Sequence, residues 1–169
     1  ITSLEDMDDI DKKLLIILQE DGRAKLSVIS DKLYSKFGVK LKENAIRSRM
    51  KKMEPNSNKK SEKEEDQAII EKYMAVVNCR KIGYTEMLMA SLRLSVPVNQ
   101  VGEKIKAMDE LKYIYITSGE YPIFVMAKCF GHKESLEIVE RLQKIEGVEE
   151  VKTEIVMDCI KEDHTIHIK

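Results

Sequence analysis

A chain of 169 residues with 43% hydrophobic content can bury one core or two small ones, which excludes disorder throughout. No run of about 18 apolar residues occurs, and residues 1–6 are too polar and acidic for a secretory signal, so a soluble, cytoplasmic protein without a membrane partner is expected. The net charge of -1 excludes a uniformly basic protein, and three widely spaced cysteines (Cys79, Cys129, Cys159) suggest neither a disulfide framework nor a zinc ribbon.

Asp8 or Asp9 can cap a first helix in which Ile10, Leu14, Ile17 and Leu18 recur on one stripe until Asp21 and Gly22. A second helix carries Leu26, Ile29, Leu33 and Phe37 on one face and stops at Gly38. A third follows the turn at Val39–Leu41, buries Ile46, Met50 and Met53, and ends at Pro55. Three short helices that cannot each bury a face alone should pack as a tri-helical unit.

The third helix carries the functional signal. Residues 36–60 hold nine Lys or Arg against two Glu, a local basic surface on a neutral chain. Turning about 100° per residue from Ile46 places Asn44, Ser48, Lys51 and Lys52 opposite the core, with Arg47 on the flank. Arg can grip guanine and Asn adenine by two hydrogen bonds in the major groove, whereas Lys suits phosphate. A recognition helix over Lys42–Met53 is therefore expected, with Lys42, Asn44, Arg47, Ser48, Lys51 and Lys52 as candidate contacts to double-stranded DNA.

Residues 54–68 have no apolar period and read as a loop, while the apolar run Ala68–Val77 reads as strand. Together they suggest a winged helix-turn-helix with an extended wing loop, whose Lys59 and Lys60 are candidate backbone contacts opposed by the neighbouring acidic residues. The expected organisation is a DNA-binding domain over 1–73, a linker or hinge strand over 74–84 and a second domain over 85–169.

Residues 86–160 repeat at an offset of 37: Leu88, Ala90 and Leu92 recur as Val125, Ala127 and Cys129, and Val101, Ile105 and Met108 as Ile138, Leu142 and Ile145. Leu111 and Ile114 likewise recur as Val148 and Val151. Each half reads as strand, helix, strand, with helices opened by Pro97 and running from about His132 to Glu146. Two such units make an α+β, ferredoxin-like βαββαβ domain with both helices on one sheet face. The other face would show Met87, Met89, Ser91 and Arg93 beside Phe124, Met126, Lys128 and Phe130, and an open face of that kind calls for a homodimer.

Particular blocks resemble the Lrp/AsnC (leucine-responsive, feast/famine) transcriptional regulators: Ile10–Leu15, Leu18–Arg23, Ile46–Met53, Ile70–Tyr73, Ala75–Val77 and Lys81–Tyr84. Thr117–Tyr121 with the strand to Phe130, and Val151–Val156, are similar to that family's RAM (regulation of amino-acid metabolism) domain. The resemblance implies a regulator acting as a dimer, tetramer or octamer on palindromic promoter sites. It also implies an amino-acid-like effector held near a glycine-containing loop, making Gly119, Glu120, Tyr121, Pro122, Thr153 and Glu154 candidate effector residues. Four departures stand out. Lys40–Glu43 replaces a Ser-Pro turn, the wing is longer than usual, Pro122 stands where a carboxylate often follows the aromatic, leaving Glu120 to substitute, and Glu154 replaces a small hydroxyl residue.

The competing reading is a metabolite-binding or protein-interaction module without duplex affinity. An enzyme is not expected, since no nucleophile with its base, carboxylate pair or glycine-rich phosphate loop is visible. No catalytic residue, metal site or cofactor is assigned, because His164 and His167 lack companions to complete a coordination shell.

Overall fold

Reciprocal capping starts the first helix, α1 (Asp9–Glu20): the Asp8 carboxylate accepts from the Asp11 amide at 2.9 Å, and Asp11 accepts from the Asp8 amide at 3.3 Å. The computed structural model describes residues 6–55 and 68–168. Contacts divide these into two units, one reaching Val76 and regaining the residues from Asp163 on, the other Val77–Glu162.

In the first unit, α2 (Leu26–Phe37) ends at Gly38, whose left-handed φ of 69° lets its amide return to the helix carbonyls. The third helix, α3 (Glu43–Met53), follows at once. Leu14, Ile17, Ile29, Leu33, Ile46 and Met53 are fully buried together. Each contributes about 1.5–3 kcal/mol by leaving water.

Arg49 fastens α3 to the start of α1. Its guanidinium donates to Asp8 at 2.6 Å and to Asp11 at 2.8 Å, and Asp11 is only 3% exposed. A carboxylate so buried requires a cationic partner. Burial opposes ionisation of Asp8, but the Asp11 amide and the Arg49 guanidinium outweigh it and hold Asp8 below the usual carboxylate range. The same carboxylates push Arg49 up, Asp11 foremost.

The strand expected over Ala68–Val77 is absent, and so is the hinge strand over 74–84: residues 68–78 join no ladder. Ile69 and Ile70 instead spend their apolar surface on the helical core, with the Ile70 amide donating to the Met53 carbonyl at 2.9 Å. Tyr73 donates to Glu54 at 2.9 Å, and its ring lies 2.8 Å from where a Cβ on Gly22 would sit. Cys79–Ile82 then forms a 3-10 turn closed by Gly83 at φ 98°. Cys79 is thus a half-buried turn residue, whereas Cys129 lies in the core. Among the described residues no strand pair frames a wing, and Lys59 and Lys60 lie outside those residues.

The second unit runs β1 (Glu86–Leu94), α4 (Val98–Lys106), β2 (Leu111–Ile116), β3 (Ile123–Cys129), α5 (His132–Gln143) and β4 (Val148–Ile155). The strands are ordered β2-β3-β1-β4, antiparallel throughout. Leu88, Ala90, Leu92, Val125, Ala127 and Cys129 are buried against Val101, Ile105, Ile138 and Leu142 from the two helices. Helix α5 stops earlier than Glu146 because the chain must turn at Gly147, whose φ is 94° and whose absent Cβ would fall 2.4 Å from Val96 Cγ2.

The strand register shows how the repeat is used. Leu88 pairs with Ala127 and Ala90 with Val125, so each residue faces its neighbour's repeat equivalent, and Met89 pairs with Met126, its own equivalent. A pseudo-two-fold axis therefore passes between Met89 and Met126, on the sheet face away from the helices. Met87, Met89, Ser91, Arg93, Phe124, Met126 and Lys128 are half-buried on that face, as the alternation required. Phe130 falls outside β3 and stacks on Tyr84, ring centroids 4.1 Å apart.

Two outcomes are expected. Gly38→Ala, with open space but a left-handed backbone, should cost about 1 kcal/mol in urea unfolding, whereas Gly147→Ala, with the added clash, should cost on the order of 3 kcal/mol. Arg49→Ala should destabilise by about 2 kcal/mol at pH 7 by orphaning Asp11. Because Asp8 is depressed in the folded state, its contribution holds above about pH 4 and fades as pH falls through the folded value. The gap between parent and Arg49→Ala should accordingly narrow by pH 3.

Candidate nucleic-acid interface and effector site

The packing that buries Ile46 and Met53 turns the rest of α3 outward. Asn44, Arg47, Ser48, Lys51 and Lys52 are exposed on the helix, as is Lys42 at its N-cap. Asn44, Arg47, Ser48 and Lys51 follow i, i+3, i+4, i+7 spacing and form a single ridge. Among the described residues, the side chains of Lys42, Asn44, Arg47, Ser48 and Lys51 have no intramolecular hydrogen bond or ion pair, which leaves their donors available. Lys52 is already engaged within the chain.

Ser48 and Lys52 also border a cleft shared with Asp6, Asp8 and Asp11, so that flank of the helix faces carboxylates. A phosphate would be repelled there and drawn toward Lys42, Arg47 and Lys51. The turn leading into α3 is fixed by the Ser30 hydroxyl, which donates to the Leu41 carbonyl at 2.7 Å. No side chain caps the start of α3; the Ala45 and Ile46 amides donate to the Lys42 carbonyl at 2.9 and 3.1 Å, which leaves the Glu43 and Asn44 amides to donate to an anion.

Two basic residues of the 36–60 run do other work. Lys36 is paired with Glu20, and Arg49 is the inward clasp. Charge counting cannot separate these from the outward cations. The legible sign for Arg49 was the pair Asp8 and Asp11 at capping distance, beside which a helix-borne guanidinium finds its partner.

In the second unit the loop from Thr117 to Pro122 is closed by the Thr117 amide donating to the Pro122 carbonyl at 2.9 Å and its hydroxyl donating to the Tyr121 carbonyl at 2.7 Å. Gly119 takes a left-handed φ of 118° in this turn. Glu120 accepts from Arg93 at 3.1 Å, and Arg93 also reaches Glu150 at 2.7 Å. Arg93 Nε lies 3.3 Å from Glu149, yet it is buried and not aligned to hydrogen-bond. Desolvation, then the Glu150 carboxylate, pushes the Tyr121 phenol up.

Glu120 and Tyr121 are thus brought together with Arg93 and Glu150, two residues the sequence did not mark as effector contacts. Thr153 and Glu154 do not join them. Thr153 pairs with Ala90 and shares the helix-covered face, whereas Glu154 pairs with Met89 on the open one. Adjacent strand residues point oppositely, so these two cannot serve one pocket of a single copy.

The repeat sharpens the picture. At the offset of 37, Tyr121 is the equivalent of Tyr84 and Arg93 of Phe130. The same corner occurs twice, closed at one end by a Tyr–Phe stack and at the other by an arginine ringed with carboxylates. The second presents a guanidinium among carboxylates to a polar ligand.

Comparison with known proteins agrees with both units. Residues 7–54 match the AsnC-type helix-turn-helix domain and residues 87–166 the Lrp/AsnC ligand binding domain. The chain is 29% identical to the HTH-type transcriptional regulator FL11 of Pyrococcus furiosus, covering 96% of this chain and 97% of that protein. It is 32% identical to an uncharacterized HTH-type transcriptional regulator of the same organism, over 92% of this chain and 95% of the other. The fold is shared with E. coli AsnC at a TM-score of 0.74 and 22% identity, covering 95% and 97% of the two chains. It is shared also with the L-Met complex of a Neisseria meningitidis transcriptional regulator, at 0.78 and 18%, covering 95% and 96%. The chain belongs to the Lrp/AsnC family of DNA-binding transcriptional regulators.

Proposed function

We propose that the protein binds palindromic promoter DNA as a homodimer or higher oligomer, with α3 in the major groove and an amino-acid-like effector at the Arg93–Glu120 corner. The observation that carries the DNA part is the ridge Asn44, Arg47, Ser48, Lys51, whose donors are exposed and unspent. Arg47 and Asn44 read bases, Ser48 supports them at the cleft edge, and Lys42 and Lys51 hold phosphates, while Lys52, engaged within the chain on the acidic flank, does not. A two-fold dimer would set two such helices on one palindrome.

The effector part rests on complementary charge. Arg93 suits a carboxylate and Glu120 an amine, the two ends of an amino acid, within a loop shaped by Gly119, Tyr121 and Pro122. The L-Met complex of the Neisseria meningitidis regulator, and that of the Mycobacterium tuberculosis feast or famine regulatory protein, support this class of ligand. Thr153 and Glu154 would take part only from another copy.

Two measurements test the reading. Arg47→Ala should cost about 1–3 kcal/mol of duplex affinity and relax preference at one base, whereas Lys51→Ala should weaken all sequences alike. An Arg47→Ala protein with parental affinity and preference would remove the base-reading role. Calorimetry against the twenty amino acids should find a binder whose affinity drops at least about tenfold in Glu120→Gln, a loss of one charge-assisted hydrogen bond. Absence of heat with all twenty would sink the effector assignment.

A further inference from the structure

Several cations of the first unit have a carboxylate partner, among them Lys13, which also lies 5.7 Å from the Phe37 ring centroid. Lys13 is paired with Asp9, Lys32 and Lys36 with Glu20, and Arg49 with Asp8 and Asp11. Each of these side chains meets a carboxylate, Lys32 and Lys36 sharing that of Glu20. Lys40 is held differently: its ammonium lies 5.1 Å from the centroid of the Tyr34 ring, with no carboxylate partner among the described residues.

The difference matters electrostatically. A carboxylate neutralises the ammonium it holds, whereas an aromatic face attracts the cation through its quadrupole and leaves the net charge at +1. Tyr34 is 55% exposed and packs nothing into the core, so its ring is spent on Lys40 and on solvent. The flexible lysine stem is thereby restricted before any ligand arrives, which lowers the ordering cost of a later contact.

Position completes the case. Lys40 stands two residues before the N-cap of α3, in the turn that Ser30 fixes through the Leu41 carbonyl at 2.7 Å. With Asn44 and Arg47 inserted in a groove, the duplex strand bounding that groove passes the N-terminal end of α3. There the Glu43 and Asn44 amides and the unneutralised Lys40 charge would both suit a phosphate.

We propose that Lys40 is a further DNA-phosphate contact and that Tyr34 is its positioning residue. The proposal rests on α3 being the recognition helix and extends the footprint back onto α2. It also excludes Lys36, four residues earlier, from that footprint, because Glu20 holds it.

The test uses the full-length protein and a duplex that it selects from a random pool, with affinity followed by fluorescence anisotropy across a series of salt concentrations. Lys40→Ala should lower the slope of log affinity against log salt by about 0.9, the value of one phosphate contact. The advantage of the parent over the variant should then shrink about 3.5-fold between 50 and 200 mM salt, which is that slope change integrated. Tyr34→Phe should match the parent, Tyr34→Leu should weaken binding less than Lys40→Ala, and the double Tyr34→Leu, Lys40→Ala should be no weaker than Lys40→Ala alone. Lys36→Ala should leave the slope unchanged. A parental slope in Lys40→Ala, or additive effects in the double variant, would overturn the proposal. If Arg47→Ala weakens binding while Lys40→Ala keeps the parental slope, only this extension fails; if neither matters, the recognition-helix reading fails with it.

Discussion

The contact on which the first unit turns is the guanidinium of Arg49 between Asp8 and Asp11. It joins the C-terminal half of a cationic helix to the capping box of α1 and supplies the counter-charge without which Asp11 could not be buried. Apolar burial of Ile46 and Met53 decides which stripe of α3 faces inward, and the ion pair adds a directional contact beside that stripe. The ridge of Asn44, Arg47, Ser48 and Lys51 is turned outward by the packing that this clasp completes, with Ser48 at the edge of the clasp's own cleft.

Charge sorting is the second theme. The protein is almost neutral, yet its carboxylates are spent locally: Glu20 on α2, Asp9 on α1, and Asp8 with Asp11 on α3. What remains includes the outward cations of α3 and the turn before it, Lys40, Lys42, Arg47 and Lys51. A neutral chain can attract a polyanion because its charges are segregated in space, something that net charge does not report.

Much of this was legible because it follows from spacing. The three helices could be read from Leu14, Ile17, Ile29, Leu33, Ile46 and Met53, which are the residues found fully buried. The second unit was legible from the 37-residue repeat, whose equivalent positions Leu88 and Val125, Ala90 and Ala127, and Leu92 and Cys129 all line one core. The misreadings share a cause. Ala68–Val77 has the composition of a strand, but a strand needs a partner, and composition does not say whether Ile69 and Ile70 will pair or pack. Arg49 and Lys36 look like any surface cation until the carboxylates brought beside them by folding are known. Thr153 and Glu154 are a different case: resemblance named them as effector candidates, and alternation along β4 places them on opposite faces of one copy.

The axis between Met89 and Met126 carries a geometric implication of its own. A surface that nearly reproduces itself after half a turn offers an approaching twin two ways to settle, differing only in which end meets which. The apolar middle cannot choose between them, since its methionines superimpose and adapt. The choice falls to the ends, where a stacked ring pair and a ringed arginine are no longer interchangeable. The difference between the two corners would therefore set the orientation of a twin docked on this face.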